Sequence, residues 1–291
     1  MTQGYDSRSS GNAHRARPAF SRRDIVGETS ARSLLLTVLG EFVLRQDEPA
    51  WTAAIVAMLG RLGVEEKSAR QALSRTAAEG WLESERVGRS VRWSLTAPGR
   101  RLLTDGAERI YSFGTSTPGW DGSWLVLYVS VPEAKRKLRH RLRTRLSWAG
   151  FGSPEPGMWI SPHPGRRAEA DGIIEDLGLH EQAMSFTGPF GGIGNEQTMV
   201  DRAWDIAGIE ARYERFIDEF TGMRPAQGDS VLLAQTRLVH EWRRFPFLDP
   251  QLPQKLLPAH WSGRRAAALF HDKHAAWDEG ARRRWRELAA S

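Results

Sequence analysis

The stretch EEKSARQALSRTAAEG, Glu65–Gly80, carries side chains able to read a nucleic acid from one side of a helix. At 3.6 residues per turn, Ala69, Ala72, Leu73 and Thr76 share one face, small and apolar enough to pack on a core. Lys67, Ser68, Arg70, Gln71, Ser74 and Arg75 fall outside that face. Arginine can bond guanine bidentately and glutamine can pair with adenine, whereas lysine and serine suit phosphate oxygens. A solvated face in any helical bundle uses the same residue types, so the neighbouring elements decide between the readings. Arg86, Arg89 and Arg92 follow closely. Arg89 stands beside Gly88, where a hairpin tip can approach phosphates or a minor groove.

The elements around this helix support the nucleic-acid reading. Ala31–Leu44 (ARSLLLTVLGEFVL) is a strongly apolar helical run, broken by Asp47-Glu48-Pro49. A second helix is predicted over Trp51–Leu62, with Ala54, Ile55, Met58, Leu59 and Leu62 on one stripe, closed by Gly63. The third helix, Glu66–Ala78, ends at Gly80. The period then changes to that of strands over Trp81–Arg86 and Ser90–Leu95, with Val87-Gly88-Arg89 as the turn. Three helices, a tight glycine turn and a hairpin are the order of a winged helix-turn-helix.

Farther on, a linking helix is predicted over Ala97–Phe113 and a buried strand over Trp124–Val131. A helix over Glu133–Ala149, a strand over Gly157–Ser161, a helix over Arg166–Leu177 and a strand over Gln182–Thr187 complete a ferredoxin-like pattern. The rest is mostly helical: Val200–Phe220, Ser230–Arg243 and Gly263–Ala290. The fold class expected is therefore multidomain α+β. Residues 1–29 read as a disordered basic tail, with Arg15, Arg17, Arg22 and Arg23. Residues 30–97 form the winged helix, 98–119 a linker helix, 120–190 the ferredoxin-like domain and 191–291 the helical C-terminal domain.

The 291 residues carry a net charge of +6, and 40% of them are hydrophobic. That composition favours polyanionic partners and excludes a wholly disordered chain. Cysteine is absent, which removes disulfides, thiolate metal sites and cysteine nucleophiles. No apolar run is long enough to span a bilayer, and residues 1–26 lack a signal-peptide core, so a cytoplasmic protein is expected. No phosphate-binding loop ending in Lys-Ser/Thr, no G-x-S-x-G elbow and no H-E-x-x-H motif occurs. No enzyme, cofactor or metal is therefore expected. His271 and His274 lie at a ligand-like spacing, but no third ligand matches them.

Several segments in order resemble the PaaX family, repressors of phenylacetic-acid degradation operons and their relatives. They are SLLLTVLGEF, EGWLESERVGR through LTAPGRR, WDGSW, GMWISPHP, RAWDIAGIEARYERF and LVHEWRRFPFLDPQLPQKLLPAHWSGRRAAALF, together spanning Ala31–Trp285. The resemblance implies a homodimeric regulator, more a repressor than an activator, bound to a palindromic double-stranded DNA operator. It also implies a middle domain similar to the CRISPR adaptation nucleases, and release from DNA by a small-molecule effector of the aryl- or acyl-CoA thioester class. Two positions depart from the family pattern. Ser130 stands where the nuclease cousins hold metal with an aspartate, and Glu65 stands where relatives cap the recognition helix with Ser, Thr or Asn.

Two clusters are candidates for the effector. The run EAKRKLRHRLRTRLSW, Glu133–Trp148, sets seven Lys/Arg against one Glu. Ala134, Leu138, Leu142 and Leu146 form its buried stripe, so Arg136, Arg139 and Arg143 are free to hold CoA phosphates or to skirt a DNA backbone. Among the C-terminal aromatics, Trp242 and Trp261 are candidates for an aryl or acyl pocket. The rival functions are a metal-dependent nuclease built on the middle domain, which Ser130 opposes, and an architectural DNA binder without an effector.

Overall fold

The computed structural model describes residues 30–115 and 119–290. The basic tail, with Arg15, Arg17, Arg22 and Arg23, lies outside the described residues. The first helix, α1 (Ala31–Val38), starts at a reciprocal cap. Ser33 N donates to the Ser30 hydroxyl at 3.1 Å, and Ser30 N donates to the Ser33 hydroxyl at 3.0 Å. The helix continues through a π-helical turn, Leu39–Val43, into Leu44–Gln46 and ends where Asp47 takes a left-handed conformation, φ 57°. Next come β1 (Ala50–Trp51), α2 (Thr52–Arg61), α3 (Glu66–Ala78), β2 (Leu82–Val87), β3 (Ser90–Leu95) and α4 (Ala97–Ser112). Gly63 at φ 85° makes the tight turn between α2 and α3 that the sequence predicts.

The three strands form an antiparallel sheet in the order β1-β3-β2. β1 has only two residues, too few for periodicity to betray it. β2 departs from the expected alternation: Leu82 is buried and Glu83–Val87 are exposed, because no core cluster reaches β2 beyond Leu82. Thr96 fixes its root. Its hydroxyl caps α4 at Gly99 N, 3.1 Å, and donates to Gly80 O at 2.6 Å.

The middle of the chain comprises β4 (Ser123–Val129), α5 (Arg136–Trp148), β5 (Gly152–Glu155), β6 (Met158–Ser161), α6 (Arg167–Asp176) and β7 (Ala183–Pro189). The sheet order is β5-β6-β4-β7, all antiparallel. β5 is missed by sequence reasoning because GSPE contains a proline, lacks alternation and carries a register shift. Its Gly152 lies so close to Trp204 that a Cβ there would come within 2.4 Å of the indole. α5 begins later than predicted. Ala134 sits in an exposed turn before it, and the buried stripe reduces to Leu142 and Leu146 with Leu138 half-buried.

The predicted helix Val200–Phe220 is two helices, α7 (Glu196–Ala203) and α8 (Ile206–Thr221). Asp205 divides them: it caps α8 through Gly208 N at 3.0 Å, while extended Trp204 turns inward to stack on Trp124. α9 (Asp229–Trp242), α10 (Phe245–Leu248) and α11 (Gly263–Ala289) complete the chain.

The far end of α11 returns to the N-terminal helices. Ala281, Trp285 and Leu288 share a core with Phe42, Ile55 and Met58, and Trp285 stacks on Phe42 at 5.5 Å. A second tie is polar. The Thr37 hydroxyl donates to Ser33 O at 3.1 Å, so its oxygen accepts from Nδ1 of buried, neutral His240 at 3.0 Å. Burial, then the charges of Arg243 and Arg244, hold the His240 pKa down to about 3. In the unfolded chain it titrates near 6.5, so acid favours unfolding progressively from there down to about pH 3. Between pH 7 and pH 5 the loss is about 2 kcal/mol, or roughly 4–8 °C in Tm. A His240→Gln variant should show that much less acid dependence in thermal unfolding; an unchanged slope would remove His240 as its source.

Candidate nucleic-acid interface

The predicted division of α3 matches its burial at every position singled out except Ser68. Ala69, Ala72, Leu73 and Thr76 are buried against α1 and α2, and Lys67, Arg70, Gln71, Ser74 and Arg75 are exposed. Ser68 is half-buried at the edge. Thr76 is buried without strain because its hydroxyl donates to Ala72 O at 2.8 Å. Glu65 occupies the N-cap with no side-chain hydrogen bond, so the helix start keeps free N–H groups. Arg70 Nε donates to Glu66 at 2.8 Å, an exposed pair one turn apart. Ser74 turns its hydroxyl back to Arg70 O at 3.1 Å.

The hairpin presents its cations unequally. Arg89 is exposed in the two-residue Gly88-Arg89 turn, where Gly88 at φ 61° supplies the left-handed backbone. Arg86 Nε bends toward Gly88 O at 3.3 Å. Arg92 is half-buried and paired with Glu85 at 2.8 Å on the opposite strand. The hairpin is tied to the start of α2, where Trp93 Nε1 donates to the Thr52 hydroxyl at 2.8 Å and that hydroxyl donates to Val91 O at 2.9 Å. The base of the hairpin is thus held against α2, which packs on α3. Arg32 braces the end of α3, forking onto Glu79 and lying over the Trp81 ring at 5.2 Å.

The candidate effector residues are not brought together. Trp242 is a core residue with none of its surface exposed, stacked on Phe270 at 4.7 Å and donating Nε1 to Ile110 O at 3.1 Å. A ring covered on its faces by Phe270, Phe245 and Phe216 has no side left for a ligand. Trp261 is half-buried and lines a cavity of about 620 Å³ with Tyr213, His260, Arg264 and Arg265. Arg136, Arg139 and Arg143 are exposed on α5 and are not among the residues lining that cavity. Sequence reasoning missed Asp249 in its wall. This carboxyl is half-buried, and burial raises its pKa against the opposing effect of the Tyr213 hydroxyl, which donates to it at 2.7 Å.

One polar cluster joins the π-helical turn after α1 to the C-terminal helices. Glu41, 1% exposed, accepts from Gln235 Nε2 at 2.9 Å and from the Tyr111 hydroxyl, and pairs with His274 Nε2 at 2.9 Å. Burial alone would raise the Glu41 pKa, but His274 first, then the Tyr111 hydroxyl and the Arg45 guanidinium, bring it below the usual range. Burial and then the Glu41 charge hold the Tyr111 pKa well above its ordinary value. Glu41, His274 and Asp278 place one potential ligand atom each within 4.8 Å of one another, a grouping the sequence did not reveal; His271 is not part of it. Arg45 already sits on Asp278 at 2.7 Å, and Arg282 at 2.6 Å, so the group reads as an ion-pair network.

N-terminal helices with a projecting hairpin, a four-stranded antiparallel sheet and C-terminal helices define a mixed α/β protein. Residues 30–99 match the family described as PaaX-like protein, residues 117–200 the PaaX protein central Cas2-like domain, and residues 204–287 the PaaX-like protein C-terminal domain. The chain belongs to the PaaX family. It is 30% identical over 251 residues to the transcriptional repressor PaaX of Escherichia coli (strain K12), covering 82% of this chain and 78% of that one. It also resembles in fold the uncharacterized protein Rv0674 from Mycobacterium tuberculosis, with a TM-score of 0.60 and 22% identity, covering 89% of this chain and 98% of the other. No helix among the described residues is long and apolar enough to cross a membrane.

Proposed function

We propose that this chain is a transcriptional repressor that reads a double-stranded DNA operator and is released from it by a small-molecule effector. The observation that carries the reading is the outward face of α3, where Lys67, Arg70, Gln71, Ser74 and Arg75 stand exposed beside the hairpin tip Arg89. We read residues 30–97 as a winged helix-turn-helix with α3 in the major groove and the hairpin as the wing. The kinship with a protein named as a transcriptional repressor supports this. Residues 98–119 would be the linker, 120–190 the middle domain and 191–291 the C-terminal domain. The strand order β5-β6-β4-β7 supports a ferredoxin-like reading of the middle one.

Homodimerisation would match a palindromic operator. The edge strand β7 offers a place for it, with Met184 and Phe186 exposed at 55% and 63%. The effector would enter the cavity beside Trp261, where an indole and a tyrosine ring meet the cations Arg264 and Arg265, a combination suited to an aryl or acyl group bearing phosphates. Release requires that the effector bind the DNA-free conformation more tightly than the DNA-bound one. The test is a gel shift on promoter DNA flanking the gene against random competitor, with a panel of aryl- and acyl-CoA thioesters. Specific binding abolished by one thioester, with a raised Tm for the free protein, is expected. Binding that stays non-specific, or a Tm that no thioester moves, overturns the operator and the effector parts respectively.

A further inference from the structure

We infer that α5 is a second, sequence-independent contact for the phosphate backbone of double-stranded DNA. Its inner side packs on the middle sheet through Leu142 and Leu146, and its outer side is almost wholly cationic. Arg136, Lys137, Arg139, Arg141 and Arg143 are all exposed, and Lys135 precedes them. On a helix residues three or four apart stand roughly 5–6 Å from one another, so Arg136, Arg139 and Arg143 make one row and Lys137 and Arg141 the row beside it.

The ridge is not neutralised from within. The neighbouring α6 carries Glu169, Asp171, Glu175 and Asp176, yet the ion pair between the helices is Arg145 with Asp176, at 2.6 Å. Arg139 donates to the Glu133 backbone carbonyl at 3.2 Å and lies 3.8 Å from its carboxylate. Among the described residues Arg136, Lys137, Arg141 and Arg143 have no ion-pair partner. The order of charge is also unfavourable for the free helix. Its first turn holds no acidic residue and its N-cap, Lys135, makes no side-chain hydrogen bond, so cations crowd the positive end of the helix dipole. An extended polyanion relieves that repulsion along the whole ridge at once. Duplex DNA is the partner favoured here because α3 and the Arg89 hairpin give the same chain a DNA-reading surface; the choice of partner rests on that reading.

A salt titration of the full chain on a random-sequence duplex, by fluorescence anisotropy, tests the assignment. The variant R136Q/K137Q/R141Q/R143Q removes the four unpaired cations, and R136K/R141K/R143K keeps the charge while removing the guanidinium groups. Each backbone contact contributes about 0.9 to the slope of log affinity against log salt, so the Gln variant should lose about 3–4 from that slope. A fourfold rise in salt should then weaken the parent about 10²-fold more than the Gln variant. The Lys variant should keep the parental slope, and neither variant should melt below the parent. An unchanged slope in the Gln variant overturns the inference while leaving operator reading by α3 intact. A loss confined to single-stranded RNA, with duplex binding unchanged, overturns it in favour of RNA. A parent that binds no duplex at all overturns both this contact and the operator reading.

Discussion

An Arg70→Ala, Gln71→Ala double variant is expected to lose most of its preference for the operator over random duplex while folding as the parent does. Both side chains leave α3 on the face opposite Ala69, Ala72 and Leu73, so their removal opens no cavity. Each good base contact discriminates by about 1–3 kcal/mol, and together the pair should lower specificity by roughly 30- to 10⁴-fold. Arg70 is held by Glu66 before binding, but an exposed pair of this kind is worth no more than about 1 kcal/mol, so DNA displaces Glu66 readily. Competition binding against random duplex measures the loss. Unchanged specificity would mean that another face of the unit meets the bases.

The second large effect is structural. Glu41→Ala removes a buried carboxylate and strands three groups at once, Gln235 Nε2, the Tyr111 hydroxyl and His274 Nε2, at the joint between the π-helical turn after α1 and helices α4, α9 and α11. Breaking a buried charged network by deleting one member costs about 3–5 kcal/mol. For a chain of this size that lowers Tm by roughly 6–20 °C. Glu41→Gln keeps the shape and one acceptor oxygen and should lose less. Thermal unfolding of the two variants separates the loss of charge from the loss of hydrogen-bond acceptors; a change below roughly 2 °C for Glu41→Ala would show that the network contributes little. The same joint carries the Thr37–His240 contact, so α1 is the element through which a change in the C-terminal bundle would reach α3.

Much of this was legible from residues close together in the chain. The bounds of α3, the left-handed turns at Gly63 and Gly80 and the break at Asp47 follow from local periodicity and backbone preference, which operate within a few residues. The exposed set on α3 followed too, because an amphipathic helix fixes both faces together. Strands β1 and β5 escaped because two residues, or four containing a proline, carry no period. The division at Asp205 escaped because the apolar spacing runs almost unbroken across it, and the capping bond that ends the run is a local choice periodicity does not weigh.

Tertiary structure alone decided the rest. Trp242 and Trp261 look alike in sequence, yet one is enclosed by Phe216, Phe245 and Phe270 and the other lines a cavity, because burial depends on what arrives from distant helices. Glu41 lies in an apolar run that predicts a buried helix and gives no warning of a carboxylate within it. Its partners Tyr111, Gln235 and His274 stand 70, 194 and 233 residues away. Local spacing fixes which face of a helix is apolar; it cannot say which helix will cover it, because that depends on how the whole chain closes on itself.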